Sequence, residues 1–427
     1  MKKVFTVLAS LLMLSSLVLA GCGKTDETGS KESASGAGQS EKKVKIRIMG
    51  YNKEETRKSY LDYLKEKLPN VDIEFQFVDL KSFENMLRTQ LAAGEGPDIF
   101  ETSGSGAVYA NAGYVEDLTD ASFTGKYNDT GLMRYQGKVY TIPLQSWFEG
   151  IWYNKDIFEK QGLTPPKTWD EWMAIHDKLR QAGIKPQAMG AKSWEPMMKQ
   201  SMGMLLNEFY AKAENKDFDT AFSEGTKAVS GSWNDAVTKW TETIQKGNLT
   251  KDMLGIDYDQ AQDEFATGKA AMWESGPWAA EALKQKNPDL NMGMFPIPGL
   301  AEGSGWLIGG PGSAFAVNKQ SKHKDVVMQI LELTATPEAQ EALIKDNFGS
   351  SFLKGVDVQL PPEYADSAEA FKEGHVYAPW ITWPFGAIAE DYGKALQEVL
   401  TGAKTVDDAL KVLDDKAEQQ RKSLKGN

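Results

Sequence analysis

Two residue types are nearly missing from this chain of 427: it has one cysteine and three histidines. A single thiol cannot close an internal disulfide, and the His/Cys ligand sets of structural zinc sites cannot be assembled. Positive charge is also short, with 48 Lys and Arg against 60 Asp and Glu and a formal charge of −12. Without a basic stripe nothing neutralises a phosphate backbone, so no nucleic acid partner is expected. Long apolar runs are lacking beyond the N-terminal segment. What remains is 41% hydrophobic and 25% charged, the balance of a folded protein and not of a disordered one. The length exceeds the roughly 250–300 residues at which single cores stop growing, so two domains are expected.

The one apolar run has a clear purpose. Met1-Lys2-Lys3 is a short cationic start, and Val4 to Leu19 is uncharged and mostly apolar. It falls short of the roughly 20 residues of a membrane span, and its flanks are those of a secretory signal. It ends in Leu19-Ala20-Gly21-Cys22, which resembles the bacterial lipobox, Leu-(Ala/Ser/Thr)-(Gly/Ala)-Cys. The resemblance implies a signal peptide at 1–21, cleavage before Cys22, and acylation of the Cys22 thiol and new amine. Two or three acyl chains, at about 0.8 kcal/mol per buried CH₂, hold a protein stably on a membrane. Residues 22–43 are then a lipidated cysteine and a tether rich in Gly, Ser, Lys and Glu, too polar to fold. The expected location is the extracellular face of the cytoplasmic membrane of a Gram-positive bacterium.

Folded sequence starts at Val44-Lys45-Ile46-Arg47-Ile48-Met49-Gly50, which alternates like a strand and breaks into a loop at Tyr51-Asn52. A helix is expected over Glu54 to Lys67, a second strand over Val71 to Phe77, and a second helix over Ser82 to Ala93. Alternating strands and helices indicate an α/β architecture with a largely parallel sheet, whose ligands sit beyond the carboxyl ends of the strands. Tyr51 and Asn52, with Glu101 and Ser103 of the Phe100-Glu101-Thr102-Ser103 segment, are therefore expected at a common ligand-facing rim.

More specific patterns lie further on. They are Gly96-Pro97-Asp98-Ile99, Gly137-Lys138-Val139-Tyr140 with Ile142-Pro143, Tyr153-Asn154-Lys155-Asp156, and Pro165 to Glu171. Gly268 to Met272 with Gly276-Pro277-Trp278, and Gly402 to Leu410, complete the set. Within it, Thr168 is the expected N-cap of a helix reaching Ala182-Gly183, with Glu171 completing a capping box. In this order, behind a lipobox, the segments resemble the lipoprotein solute-binding subunits of ATP-driven (ABC) sugar importers, the maltose- and multiple-sugar-binding group. The resemblance implies a periplasmic-binding-protein-like fold, two α/β lobes joined by a hinge that closes on solute in the cleft. By analogy the chain crosses near Ser146, returns near Gly309 and crosses again after Phe348-Gly349. The N-terminal lobe is then 44–146 and 310–349, and the C-terminal lobe 147–309 and 350–427. It further implies a monomer that binds an oligosaccharide or other small sugar and meets the permease subunits of the transporter, with no cofactor and no catalysis.

A sugar ring has an apolar C–H face and a polar equator, so a tight site needs flat aromatic walls and a rim of donors and acceptors. Trp169 and Trp172 in a helix's first turn, Trp233 and Trp240 seven apart, and Trp152 in an apolar strand read as packing. Trp147, Trp194, Trp273, Trp278, Trp306, Trp380 and Trp383 fall in loops or at strand ends. The resemblance matches Trp278, and Trp383 by position, to stacking tryptophans of maltose-binding relatives, and Ser193-Trp194-Glu195-Pro196 to their Glu-Pro-aromatic contact segment. Expected ligand walls are Trp278, Trp383, Trp147, Trp194 and Trp380; expected hydroxyl acceptors are Glu149, Glu195 and Glu274. Asp98 reads as a loop brace.

Other chemistries find less support. A glycosidase needs two carboxylates about 5–9.5 Å apart, and no pair stands out. His176, His323 and His375 lack the context of a catalytic base and read as surface residues. Asp257-Tyr258-Asp259 with Asp263 has Gln262 and Gly268 where a calcium loop needs Gly and Glu, so an amphipathic helix is expected there. The Gly-rich stretches 303–305 and 309–312 match no phosphate loop and read as close backbone approach at the hinge. The expected function is an extracellular carbohydrate receptor serving an ABC permease. The alternatives are the same fold serving a non-sugar solute such as a peptide or polyamine, a sensor partner, and a secreted glycan-degrading enzyme.

Overall fold

Strand alternation decides how the first sheet is covered. In Val44–Gly50, Ile46 and Ile48 point to one side and Met49 to the other, and all three are fully buried. The Lys58–Lys67 helix lays Tyr60, Leu61 and Leu64 against the first side, and the Leu80–Ala93 helix lays Phe83, Leu87 and Leu91 against the second. Val44–Gly50 runs parallel to Val71–Phe77 and to Ile99–Thr102, which requires such crossover helices. The computed structural model describes residues 43–102, 106–129, 131–356, 359–381, 383, 385 and 387–425. The expected signal peptide, Cys22, nearly all of the tether and Ser103 lie outside these.

The first sheet has the order Val71–Phe77, Val44–Gly50, Ile99–Thr102, Ala314–Val317, Thr141–Pro143, with Ala314–Val317 running against both of its neighbours. The second is built on Ser146–Asn154. Leu307–Pro311 and Met292–Phe295 pair antiparallel along one edge of it and Ala270–Ser275 along the other. Val376–Tyr377 and Lys185–Ala188 close the two ends. Phe148 and Trp152 face a core with Phe265 and Tyr364; Ile151 and Tyr153 face another with Trp169, Trp172 and Met198. The result is two α/β lobes.

Trp152, Trp169, Trp172, Trp233 and Trp240 are fully buried, as their spacing predicts, and so is Trp273, which the sequence places at a strand end. Three of the buried indoles donate inward: Trp152 to the Gly276 carbonyl, Trp169 to Glu242 and Trp240 to Gln200. Asp98 braces a loop as expected, accepting from the Arg47 amide and the Ser321 hydroxyl. The capping box at Thr168 forms by half. Thr168 accepts the Glu171 amide, but Glu171 accepts from Lys167 N, one residue before the cap. A complete box stands at Asp257 and Gln260, opening the Tyr258–Ala266 helix in the segment weighed as a calcium loop.

His176 departs from its expected surface position. It lies on the inner face of Trp169–Gln181 beside the Trp172 ring, with Nδ1 2.8 Å from the Trp172 carbonyl and Nε2 3.3 Å from Gln187 Oε1. A histidine one turn below a buried tryptophan shares its stripe. His375 is half-buried, stacked on Trp306 with centroids 4.6 Å apart.

Three segments join the lobes, and they are bonded to one another. The Gln145 carbonyl accepts the Gly312 amide, and Gln145 Nε2 donates to the Asn347 carbonyl. Ser146 and Ser350 exchange backbone and hydroxyl bonds at 2.7–2.8 Å. A Cβ on Gly349 would lie 2.3 Å from the Ser146 carbonyl oxygen, and one on Gly309 would lie 2.3 Å from that of Trp147, so both glycines are required by close approach. Around the expected third boundary at 349/350 the chain touches both cores: Phe348 packs on Phe148 and Tyr364 of the second. Leu353 is buried in the first core and bridges Tyr127, whereas Leu360 packs on the second.

Burial holds the His176 pKa down, from 6.5 to about 4. The unfolded chain then binds the proton more readily, so this contribution is complete above pH 6.5 and is lost as pH falls toward 4. We expect denaturant titrations to show a loss of roughly 3 kcal/mol from this residue by pH 4, and the His176→Gln variant to show a correspondingly shallower acid slope.

Candidate ligand-binding site

On the first lobe the expected rim residues do two different jobs. Glu101, at the end of Ile99–Thr102, is fully buried and saturated: Oε1 accepts Arg57 Nε at 2.8 Å, and Oε2 accepts Asn52 Nδ2 at 2.8 Å and the Asn52 amide at 3.4 Å. With three bonds already accepted and no exposure to solvent, Glu101 is an internal acceptor in this structure and not the exposed rim acceptor expected. Arg57 also donates to Gln145 Oε1 at 3.2 Å and to Ser313 Oγ at 2.7 Å, reaching two of the crossings. Tyr51 and Asn52 remain partly exposed beside it, with the Tyr51 ring edge-on to Phe83. Burial and the Glu101 charge push the Tyr51 hydroxyl pKa up, so it stays a donor.

On the second lobe the site lies at the end of the sheet nearest the crossings. Ser146–Asn154 begins there, and Ala270–Ser275, antiparallel to it, ends there. Glu149 is buried and accepts Lys199 Nζ at 2.6 Å; Lys199 also lies 3.5 Å from Glu195, its i,i+4 neighbour on the Glu195–Leu205 helix. Burial works against the Lys199 charge, but Glu149 and Glu195 outweigh it, and the lysine pKa ends up raised. Burial pushes Glu149 up despite Lys199. Glu274 lies opposite Ile151, hence on the Glu149 face of the sheet. Its carboxyl is driven well up, first by burial and then by Glu149.

The aromatic walls form one continuous group. Trp147 and Trp380 stand 6.2 Å apart, and Trp194, Trp380 and Trp383 together line a cavity of about 260 Å³ with Phe385 and Ile388. Trp383 is only 6% exposed and its indole N–H is spent on Asp219 at 2.9 Å. Asp219 also accepts Tyr210 and Tyr377 hydroxyls, so Trp383 is a fixed wall without a free donor. Ala387, in the left-handed region at φ 61°, turns the chain past this cavity into the Ile388–Thr401 helix. Trp278 is apart from the cavity, 48% exposed, its N–H on the Tyr258 hydroxyl at 3.1 Å, and Tyr258 in turn reaches Ser275. A larger hollow of about 410 Å³ on the first lobe contains none of the expected residues. Two of its acids are engaged, Asp117 by Lys138 and Glu116 by Lys324.

Sequence reasoning passed over Arg57, Lys199 and Asp219, and weighed Tyr258 only as part of a possible calcium loop. Two left a trace: Arg57 falls on the 57-60/61-64 stripe of buried positions, and Lys199 is four residues after Glu195. Among the described residues no group of three His, Cys, Asp or Glu converges closely enough to hold a metal ion.

The profile of the bacterial extracellular solute-binding proteins matches residues 52–341. The multiple sugar-binding protein of Streptococcus mutans is 25% identical over 358 residues, 82% of each chain. The melibiose/raffinose/stachyose-binding protein MelE of Bacillus subtilis is 24% identical over 383 residues, 87% of this chain and 86% of that one. In structure, a family 1 extracellular solute-binding protein from Bifidobacterium longum subsp. infantis superposes with a TM-score of 0.74 at 24% identity, covering 88% of this chain and 99% of its own.

Removing Arg57 alone strands a buried carboxylate. Arg57→Leu is expected to cost about 3–5 kcal/mol in chemical denaturation, and the double variant Arg57→Leu/Glu101→Leu to recover much of it.

Proposed function

This chain belongs to the bacterial extracellular solute-binding proteins, and from that premise we propose that it is a carbohydrate receptor, for an oligosaccharide, that serves an ABC permease. The family is one of receptors and not of enzymes. The observation that carries the ligand class is the run of indole faces from Trp147 through Trp380 to Trp194 and Trp383, beside the carboxylates around Lys199. Flat apolar walls accept the C–H faces of pyranose rings, and charged acceptors strengthen bonds to their hydroxyls. A run of walls longer than one ring favours an oligomer over a monosaccharide. Relatives named for multiple sugars and for melibiose, raffinose and stachyose agree with this. Tyr51 and Asn52, on the other side of the crossings, supply the opposing polar contacts when the lobes close.

Calorimetry and intrinsic tryptophan fluorescence with raffinose, stachyose, maltotriose and xylotriose test the reading. At least one should bind, and Trp380→Ala should weaken it by 10–100-fold, about 1.4–2.7 kcal/mol. Silence across a broad saccharide panel overturns it.

We further infer that the protein is held at the outer face of the membrane as a monomer by acylation at Cys22, which supports capture next to the permease. Cys22→Ser is expected to move the protein from the membrane fraction into the medium with solute affinity unchanged.

A further inference from the structure

Around Lys199 three carboxylates meet one ammonium. The charge of Lys199 is committed to Glu149 at 2.6 Å and Glu195 at 3.5 Å. Glu274, on the neighbouring strand and the same face, is 6% exposed, and neither of its oxygens has a hydrogen-bond partner among the described residues. Glu149 is hydrogen-bonded to Lys199, and Glu195 is ion-paired with it. An unpaired buried charge costs several kcal/mol, so Glu274 keeps its proton until a cation reaches it; the upward drive on its carboxyl agrees with this.

The cluster is open on one side. Glu195 is 50% exposed and Lys199 15%, which leads inward from solvent to Glu149 and Glu274. The wall beside it already tolerates positive charge: Lys199 Nζ lies 5.9 Å from the Trp147 ring centroid. The acids do not converge as metal ligands do, which leaves an organic cation as the fitting guest. A solute that covers this corner without reaching Glu274 would desolvate Glu195 and leave the buried, uncharged Glu274 carboxyl without a hydrogen-bond partner.

We propose that the solute carries a primary ammonium group that pairs with Glu274; on the carbohydrate reading above, on which this rests, it is an amino-substituted oligosaccharide. The ammonium displaces the Glu274 proton, the adjacent ring lies on Trp147 and Trp380, and the remaining sugar runs toward the Trp194/Trp383 cavity.

Calorimetry with four probes decides the matter: the trimer of β-1,4-linked glucosamine, its fully N-acetylated counterpart, raffinose and spermidine. The glucosamine trimer is expected to bind at least 30-fold more tightly than the acetylated trimer, and Glu274→Gln to shrink that preference to within threefold. The first comparison uses the unaltered protein, so it stands even if the variant fails to fold. Equal or tighter binding of raffinose or of the acetylated trimer overturns the inference and leaves the carbohydrate receptor standing. An undiminished amine preference in a folded Glu274→Gln protein also overturns it. Spermidine binding with no saccharide binding supports the ammonium site and overturns the carbohydrate reading. Absence of binding by all probes, and by the neutral panel, overturns both.

Discussion

One buried guanidinium sets the geometry of the joint between the lobes. Arg57 gives its planar donors to Glu101, Gln145 and Ser313, a β-strand end and two of the three crossings, and Gln145 passes the connection on to Asn347 in the third. Taking an arginine and a glutamate out of water is repaid only when nearly every donor and lone pair finds a partner, and here they do. Such saturation favours one arrangement of the crossings over its neighbours. The close contacts at Gly309 and Gly349 depend on that arrangement, since they leave no room for a side chain.

The second lobe handles charge in the opposite way. Its cluster has one more buried acid than it has cation to match, and the surplus lies beside the aromatic walls. In the first lobe a carboxylate is sealed to hold structure; in the second, one is left without a hydrogen-bond partner at the site proposed for the solute. One of the proposed walls is held in place: Asp219 gathers Tyr210, Tyr377 and Trp383 into one bonded unit, and a solute docking there as proposed would spend little ordering entropy on it.

Much of this was legible along the chain. Period-two alternation marked Val44–Gly50 and Val71–Phe77, and the helical spacing of Trp169, Trp172, Trp233 and Trp240 marked them as core. Of the seven tryptophans grouped by loop or strand-end context, the fold brings Trp147, Trp194, Trp380 and Trp383 together, leaves Trp278 apart and buries Trp273. Other residues misled. Glu101 looked like a rim acceptor because it ends a strand, but the arginine that consumes it lies 44 residues earlier. His176 looked like a surface residue, although it shares a stripe with Trp172. Near the third crossing no local pattern marks that Phe348 packs on the second core while Phe352 and Leu353 return to the first.

The sequence by itself determined the alternation of strands and helices and which tryptophans pack in helices, and its motif resemblances implied the two-lobe class and the anchor expected at Cys22. These depend on periodicity and short motifs, which are local properties of the chain. Only the tertiary structure decided which carboxylates are sealed and which are left over, which indole N–H is already spent, and which core each residue around the third crossing packs against. Those outcomes depend on partners tens to hundreds of residues away. Whether a buried polar group is satisfied is set by the nearest atoms in space, and the order of residues along the chain does not specify them.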